Sequence, residues 1–139
     1  MLIEKEQITN FLPQRAPFVM IDCLVNANDA GFLSSFRIES DNLFLDGSVL
    51  SESALIENIA QTCAAGFGYL GSQRGEEAGR LGFIGAVSRV NVSSLPKLGD
   101  VVQTKIELLN AFDAIHLVQG TAMVDETILM ECQLKIVLA

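Results

Sequence analysis

The segment 42–71, NLFLDGSVLSESALIENIAQTCAAGFGYLG, restricts the fold of this chain more than any other. Leu55, Ile59, Cys63, Phe67 and Leu70 recur at helical spacing on one face, and Ile56 and Ala60 widen it. Ser51 reads as the N-cap. Glu52 follows in the first turn, where the helix dipole favours negative charge, and Gly71 reads as the stop. The opposite stripe, Ser53, Glu57, Gln61, Ala64, Ala65 and Gly68, is small and carries one charge. A solvated helix face would hold several Lys, Arg or Glu. A helix with so little polar surface must be covered by the rest of its chain.

The flanking sequence supplies that cover. Residues 3–11 form a short first helix ended by Pro13, and PFVMIDCLVNA (17–27) reads as a buried strand. After the turn signal NDAG (28–31), FLSSFRIE (32–39) alternates as a half-buried strand. GSQRGEEAG (71–79) is a polar loop. Four strand-like runs follow at 81–93, 100–110, 114–124 and 127–138, separated by PKLGD, NAFD and VDET. Short connections favour antiparallel pairing, and one long helix against one antiparallel sheet is an α+β layer architecture. The 139 residues suffice for one core and not for two, so a single domain over 1–139 is expected.

The net charge of −8 argues against nucleic acid or an anionic membrane as the main partner. No apolar run reaches the roughly 20 residues of a membrane-spanning helix. The N-terminus MLIEKEQITNFLPQR is too polar for a signal peptide. Cys23, Cys63 and Cys132 are odd in number, have apolar neighbours and show no metal-ligand spacing. They read as buried reduced thiols of a cytoplasmic protein, with no metal or cofactor indicated.

Glu57 is the one candidate for chemistry within the helix. A carboxylate on a covered face is costly unless it is hydrogen-bonded or protonated, and Gln61, at i+4, can reach and orient it. Such a carboxylate suits general acid/base work. The bland alternative is an acid that pairs across a subunit interface or faces water.

Three segments carry a resemblance. FLPQRAPFVMIDCLV (11–25), LFLDGSVLSESALIENIAQTCA (43–64) and LGFIGAVSRVNVSSLPKLGD (81–100), in that order, resemble the hotdog-fold 3-hydroxyacyl-acyl carrier protein dehydratases. The likeness is closer to the divergent dehydratase-like proteins of aryl-polyene and related pigment pathways. The resemblance implies a hotdog fold: a long central helix wrapped by a curved antiparallel sheet, as a dimer. It implies an acyl thioester, on acyl carrier protein or CoA, bound in an apolar tunnel between protomers. It places the family's helix acid on Glu57 and its glutamine on Gln61. The family's catalytic histidine falls on Leu43, just before Phe44, so half of the dyad is absent. With Ser53 at the start of the polar stripe, Leu43 and Phe44 are the candidate substrate-binding positions.

Other departures are smaller. Gln14 replaces a histidine that is not the catalytic one, and Ser51 and Glu52 replace the proline and glycine before the helix. His116, the only histidine, lies in a strand far along the chain and reads as structural. Arg89, Lys97, Arg15, Arg74 and Arg80 are the cations available for docking a carrier protein, with Ser93 and Ser94 between the first two. The reading is a dehydratase-like protein of fatty-acid or polyene biosynthesis, needing no cofactor. It acts as a homodimer or, for want of the histidine, with a catalytic hotdog subunit. An acyl thioesterase and a non-catalytic acyl-binding or scaffolding subunit are the alternatives.

Overall fold

The computed structural model describes residues 1–75 and 82–138. A short 3₁₀ segment, Lys5–Phe11, opens the chain and stops at Leu12, before Pro13. Strands β1 (Cys23–Asn28) and β2 (Gly31–Arg37) follow, then the two-residue strands β3 (Leu45–Asp46) and β4 (Val49–Leu50). The helix α1 (Glu52–Gln73) leads to β5 (Gly82–Val92), β6 (Val101–Phe112), β7 (Ile115–Val124) and β8 (Thr127–Leu138). Six strands form one antiparallel sheet in the order β1-β2-β6-β7-β8-β5, with α1 packed against its inner face.

The helix is covered as its periodicity demands. Leu55, Ile59 and Cys63 are fully buried among Val102, Ile106, Val118 and Leu134 of the sheet. Close approach is built in at two glycines. A Cβ on Gly66 would lie 2.2 Å from the Phe32 ring, and one on Gly120 would lie 2.5 Å from Ile59 Cγ2. Any larger side chain there would force helix and sheet apart.

Three local expectations are corrected. The helix does not stop at Gly71, which is buried within it, but runs to Gln73 with Arg74 as its C-cap. Ser51 is the N-cap in position, with extended backbone, but its hydroxyl makes no capping bond and lies 3.1 Å from Ser53 Oγ. The expected strand 17–27 begins only at Cys23; residues 17–22 are a strap that crosses the helix. The second half of the loop at 71–79, and Arg80, lie outside the described residues.

The two sheet edges differ. Ile3 sits on the outer side of β1, exchanging backbone hydrogen bonds with Leu24. Among the described residues strand β5 pairs only with β8, and residues 84–90 are exposed throughout, including Ile84, Val87 and Val90. Two irregularities, at Ile84/Ala86 and Ser88/Asn91, bend it, and Arg89 takes φ 53° at the second.

Candidate active site

Glu57 stands in the second turn of α1, partly buried. Its Oε2 accepts a hydrogen bond from Gln61 Nε2 at 2.6 Å. Gln61 is itself fully buried, and the strap uses the rest of its amide. Gln61 Oε1 accepts from the Met20 backbone N–H at 2.7 Å, and Nε2 also donates to the Phe18 carbonyl at 2.9 Å. The expected i+4 contact is therefore present, with both ends of the amide committed. Both Nε2 hydrogens and one lone pair of Oε1 are thereby in use. Among the described residues the second carboxylate oxygen, Oε1, has no partner.

The other candidates are more scattered. Leu43 is 55% exposed on the connection before β3. Phe44 is partly buried against the core, its N–H donating to Asn42 Oδ1 at 2.8 Å. Asn42 ties this connection to the strap through a 3.5 Å contact from Nδ2 to Met20 Sδ. Ser53 is exposed and bonded to Ser51, one turn before Glu57. Phe18, whose carbonyl faces Gln61, leaves its ring 53% exposed. Two apolar side chains, Phe18 and Leu43, thus stand open on segments fastened beside Glu57.

His116 is elsewhere. Its ring stacks on Phe67 with centroids 4.7 Å apart, ten residues along α1 from Glu57 and about 15 Å along the helix axis. A pocket of about 460 Å³ opens there, lined by Phe67, Arg74, Leu108 and His116. A second, of about 390 Å³, flanks the strap at Val19, Met20 and Asn42. Glu57 lines neither. The cations do not converge: the Arg15 guanidinium donates to the Leu12 and Gln14 carbonyls, Arg89 lies on β5, and Arg74 caps the far end of α1. Lys97 lies beside β4, paired through a backbone bridge to Val49.

Sequence reasoning passed over a buried polar layer beside the site. Asn58 and Thr62, fully buried in α1, join Ser34 of β2 and Thr104 of β6. Asn58 Nδ2 donates to the Met20 carbonyl at 2.7 Å and its Oδ1 accepts from Thr104 Oγ1. Thr62 Oγ1 donates to the Asn58 carbonyl at 2.8 Å and lies 2.7 Å from Ser34 Oγ. The signal was available: two polar residues at i and i+4 on a helix with no solvated face must be paired with something.

The cysteines are buried too, as free thiols. Desolvation pushes all three thiols above their usual range. Among the described residues no group of three or more His, Cys, Asp or Glu is placed to hold a metal, and no helix is long and apolar enough to cross a membrane.

A single long helix wrapped by an antiparallel sheet, with an acid–amide pair in the second and third turns of the helix, defines a hotdog-fold protein. Residues 6–139 match the sequence model of the ApeP-like family, described as ApeP dehydratase, and the chain belongs to that family. It is 22% identical to the 3-hydroxyacyl-[acyl-carrier-protein] dehydratase FabZ of Bacillus subtilis over 99% of both chains. It is 24% identical to the FabZ of Oceanobacillus iheyensis over 96% of both. Among solved structures, the dehydratase heterocomplex ApeI:P from Xenorhabdus doucetiae superposes with a TM-score of 0.87 at 21% identity, covering 95% of this chain and 90% of that one. A hypothetical thioesterase with coenzyme A from Streptococcus pneumoniae gives 0.67 at 13% identity, over 84% of each chain, and shares the fold alone.

Proposed function

We propose that this chain is one subunit of a two-subunit dehydratase acting on 3-hydroxyacyl thioesters, with Glu57 as its contribution to the reaction. Dehydration removes a proton from the α-carbon and the hydroxyl from the β-carbon, which leaves as water. One group takes the proton and another protonates the departing oxygen. Glu57, held by Gln61 with one oxygen free, can be one of the two. The observation that carries the reading is the split dyad: Glu57 is positioned while Leu43 stands in the histidine's place and His116 is at the other end of α1. The missing group then comes from a related hotdog subunit docked along β5. Exposed Phe18 and Leu43 form an apolar approach for the acyl chain or the partner. Three buried thiols suit the reducing cytoplasm.

The test is dehydration of a 3-hydroxyacyl carrier-protein thioester by this chain, by its hotdog partner and by the two mixed. Turnover is expected from the mixture, and Glu57→Gln in the mixture is expected to lower kcat by about 10²- to 10⁴-fold. One observation favours a second reading, a non-catalytic scaffolding subunit: an exposed leucine where the dyad needs its histidine. Full activity of the mixture with Glu57→Gln would establish it. Release of free thiol from an acyl-CoA would instead mark a thioesterase.

A further inference from the structure

Asn58 is fully buried yet polar, in a helix position where an apolar residue would pack and Ala would have the higher helix propensity. What its amide supplies is a link. Thr104 belongs to β6, paired with Ser34 on one side and Ala122 on the other. From that inner position its hydroxyl donates to Asn58 Oδ1, and Asn58 Nδ2 donates to the Met20 carbonyl. The same Met20 residue gives its N–H to Gln61 Oε1. Both polar groups of one strap residue are thereby fixed by two helix side chains, three positions apart.

The consequence lies in the orientation of Gln61. Its two amide ends are similar in shape and opposite in hydrogen bonding. Three groups select its orientation: the Met20 N–H takes Oε1, and the Phe18 carbonyl and the Glu57 carboxylate take Nε2. If the strap shifts, the two that it supplies are weakened and the carboxylate alone holds the amide, so the Glu57–Gln61 geometry loosens. We infer that Asn58 is a positioning residue: it anchors the strap to the sheet so that Gln61 holds its N–H in a fixed geometry on Glu57. The kinetic part of this inference rests on the proposed dehydratase reading; the structural part does not.

The test compares Asn58→Leu, which keeps the branching of the side chain and removes both bonds, with Thr62→Val. Thr62 belongs to the same buried layer, but its hydroxyl bonds neither the strap nor the Gln61 side chain. Two readouts are taken below the Tm of both variants. In the chain alone, Met20 amide exchange is expected to accelerate at least about tenfold in Asn58→Leu beyond any general rise at β7 amides, and not in Thr62→Val. In the mixture with the partner subunit, Asn58→Leu is expected to lower kcat about tenfold with KM held within about twofold, while Thr62→Val changes Tm alone. Equal behaviour of the two variants in exchange and in kcat overturns the inference. If Asn58→Leu does not fold, Thr104→Val removes the same anchor from the sheet side and is read identically. If Glu57→Gln leaves the mixture fully active, the dehydratase reading fails, while the exchange measurement still decides whether Asn58 holds the strap.

Discussion

Gln61 Nε2 lies 2.6 Å from Glu57 Oε2 while its Oε1 takes the Met20 N–H, so one buried amide joins the helix acid to the strap that crosses the helix. Gln61→Ala strands the Met20 N–H and the Phe18 carbonyl and opens a small void. The expected loss is about 2–4 kcal/mol of unfolding free energy, measured by urea denaturation. Gln61→Glu keeps the volume but puts two carboxylates side by side. Its deficit is expected to exceed that of Gln61→Ala at pH 7 and to shrink at pH 4–5, about where carboxylates take up protons.

On the proposed reading, a histidine at position 43 restores the missing half of the dyad. Leu43 is more than half exposed, so a histidine there displaces little of the core. Leu43→His is expected to leave Tm within about 2 °C, as surface substitutions do. It is also expected to give the lone chain dehydration activity at least about tenfold above background, the low end of acid/base assistance. No activity in a folded Leu43→His homodimer would show that the histidine must stand elsewhere.

Association should run through β5. Its exposed Ile84, Val87 and Val90 lie on a strand with a free edge, the usual template for pairing with another chain. A Val87→Lys, Val90→Lys double variant is expected to lose binding to the partner subunit, and to itself, in analytical ultracentrifugation. Its far-ultraviolet circular dichroism is expected to stay unchanged.

The thiols predict an alkaline limit. Burial raises the thiol pKa of Cys63 most, and raises those of Cys23 and Cys132, from the usual value of 9.0. The folded state holds these protons more tightly than the unfolded chain does. Their contribution is therefore complete below the unfolded pKa and lost as pH rises through the folded values. Tm is expected to fall progressively above pH 9 and to fall less steeply in Cys63→Ala, compared each with itself at pH 7. A thiol reagent is expected to leave Cys63 unmodified until the chain unfolds.

The sequence made the helix and the later strands legible because their signals are local. Leu55, Ile59 and Cys63 repeat at the helix period, and the four runs after residue 81 are punctuated by turn residues. The Glu57–Gln61 pair was readable because i+4 is a fixed distance on a helix. What escaped depends on contacts distant in sequence. Residues 17–22 have strand composition, but while the Asp22 N–H bonds the Ser35 carbonyl of β2, the polar groups of Met20 and the Phe18 carbonyl go to Asn58 and Gln61, roughly forty residues on. Gly71 resembles a terminator, yet its burial keeps it inside the helix. The layer of Ser34, Asn58, Thr62 and Thr104 spans three elements, so no window of sequence contains it.

Ile3 on the outer side of β1 has an effect on how many chains can join. A sheet with two open sides can add copies without end, as fibrils do, whereas here Ile3 bridges the first side at Leu24 and, among the described residues, the last has no second partner. Two such sheets meeting at the last side would leave outward only the sides that Ile3 interrupts, which is expected to disfavour further addition.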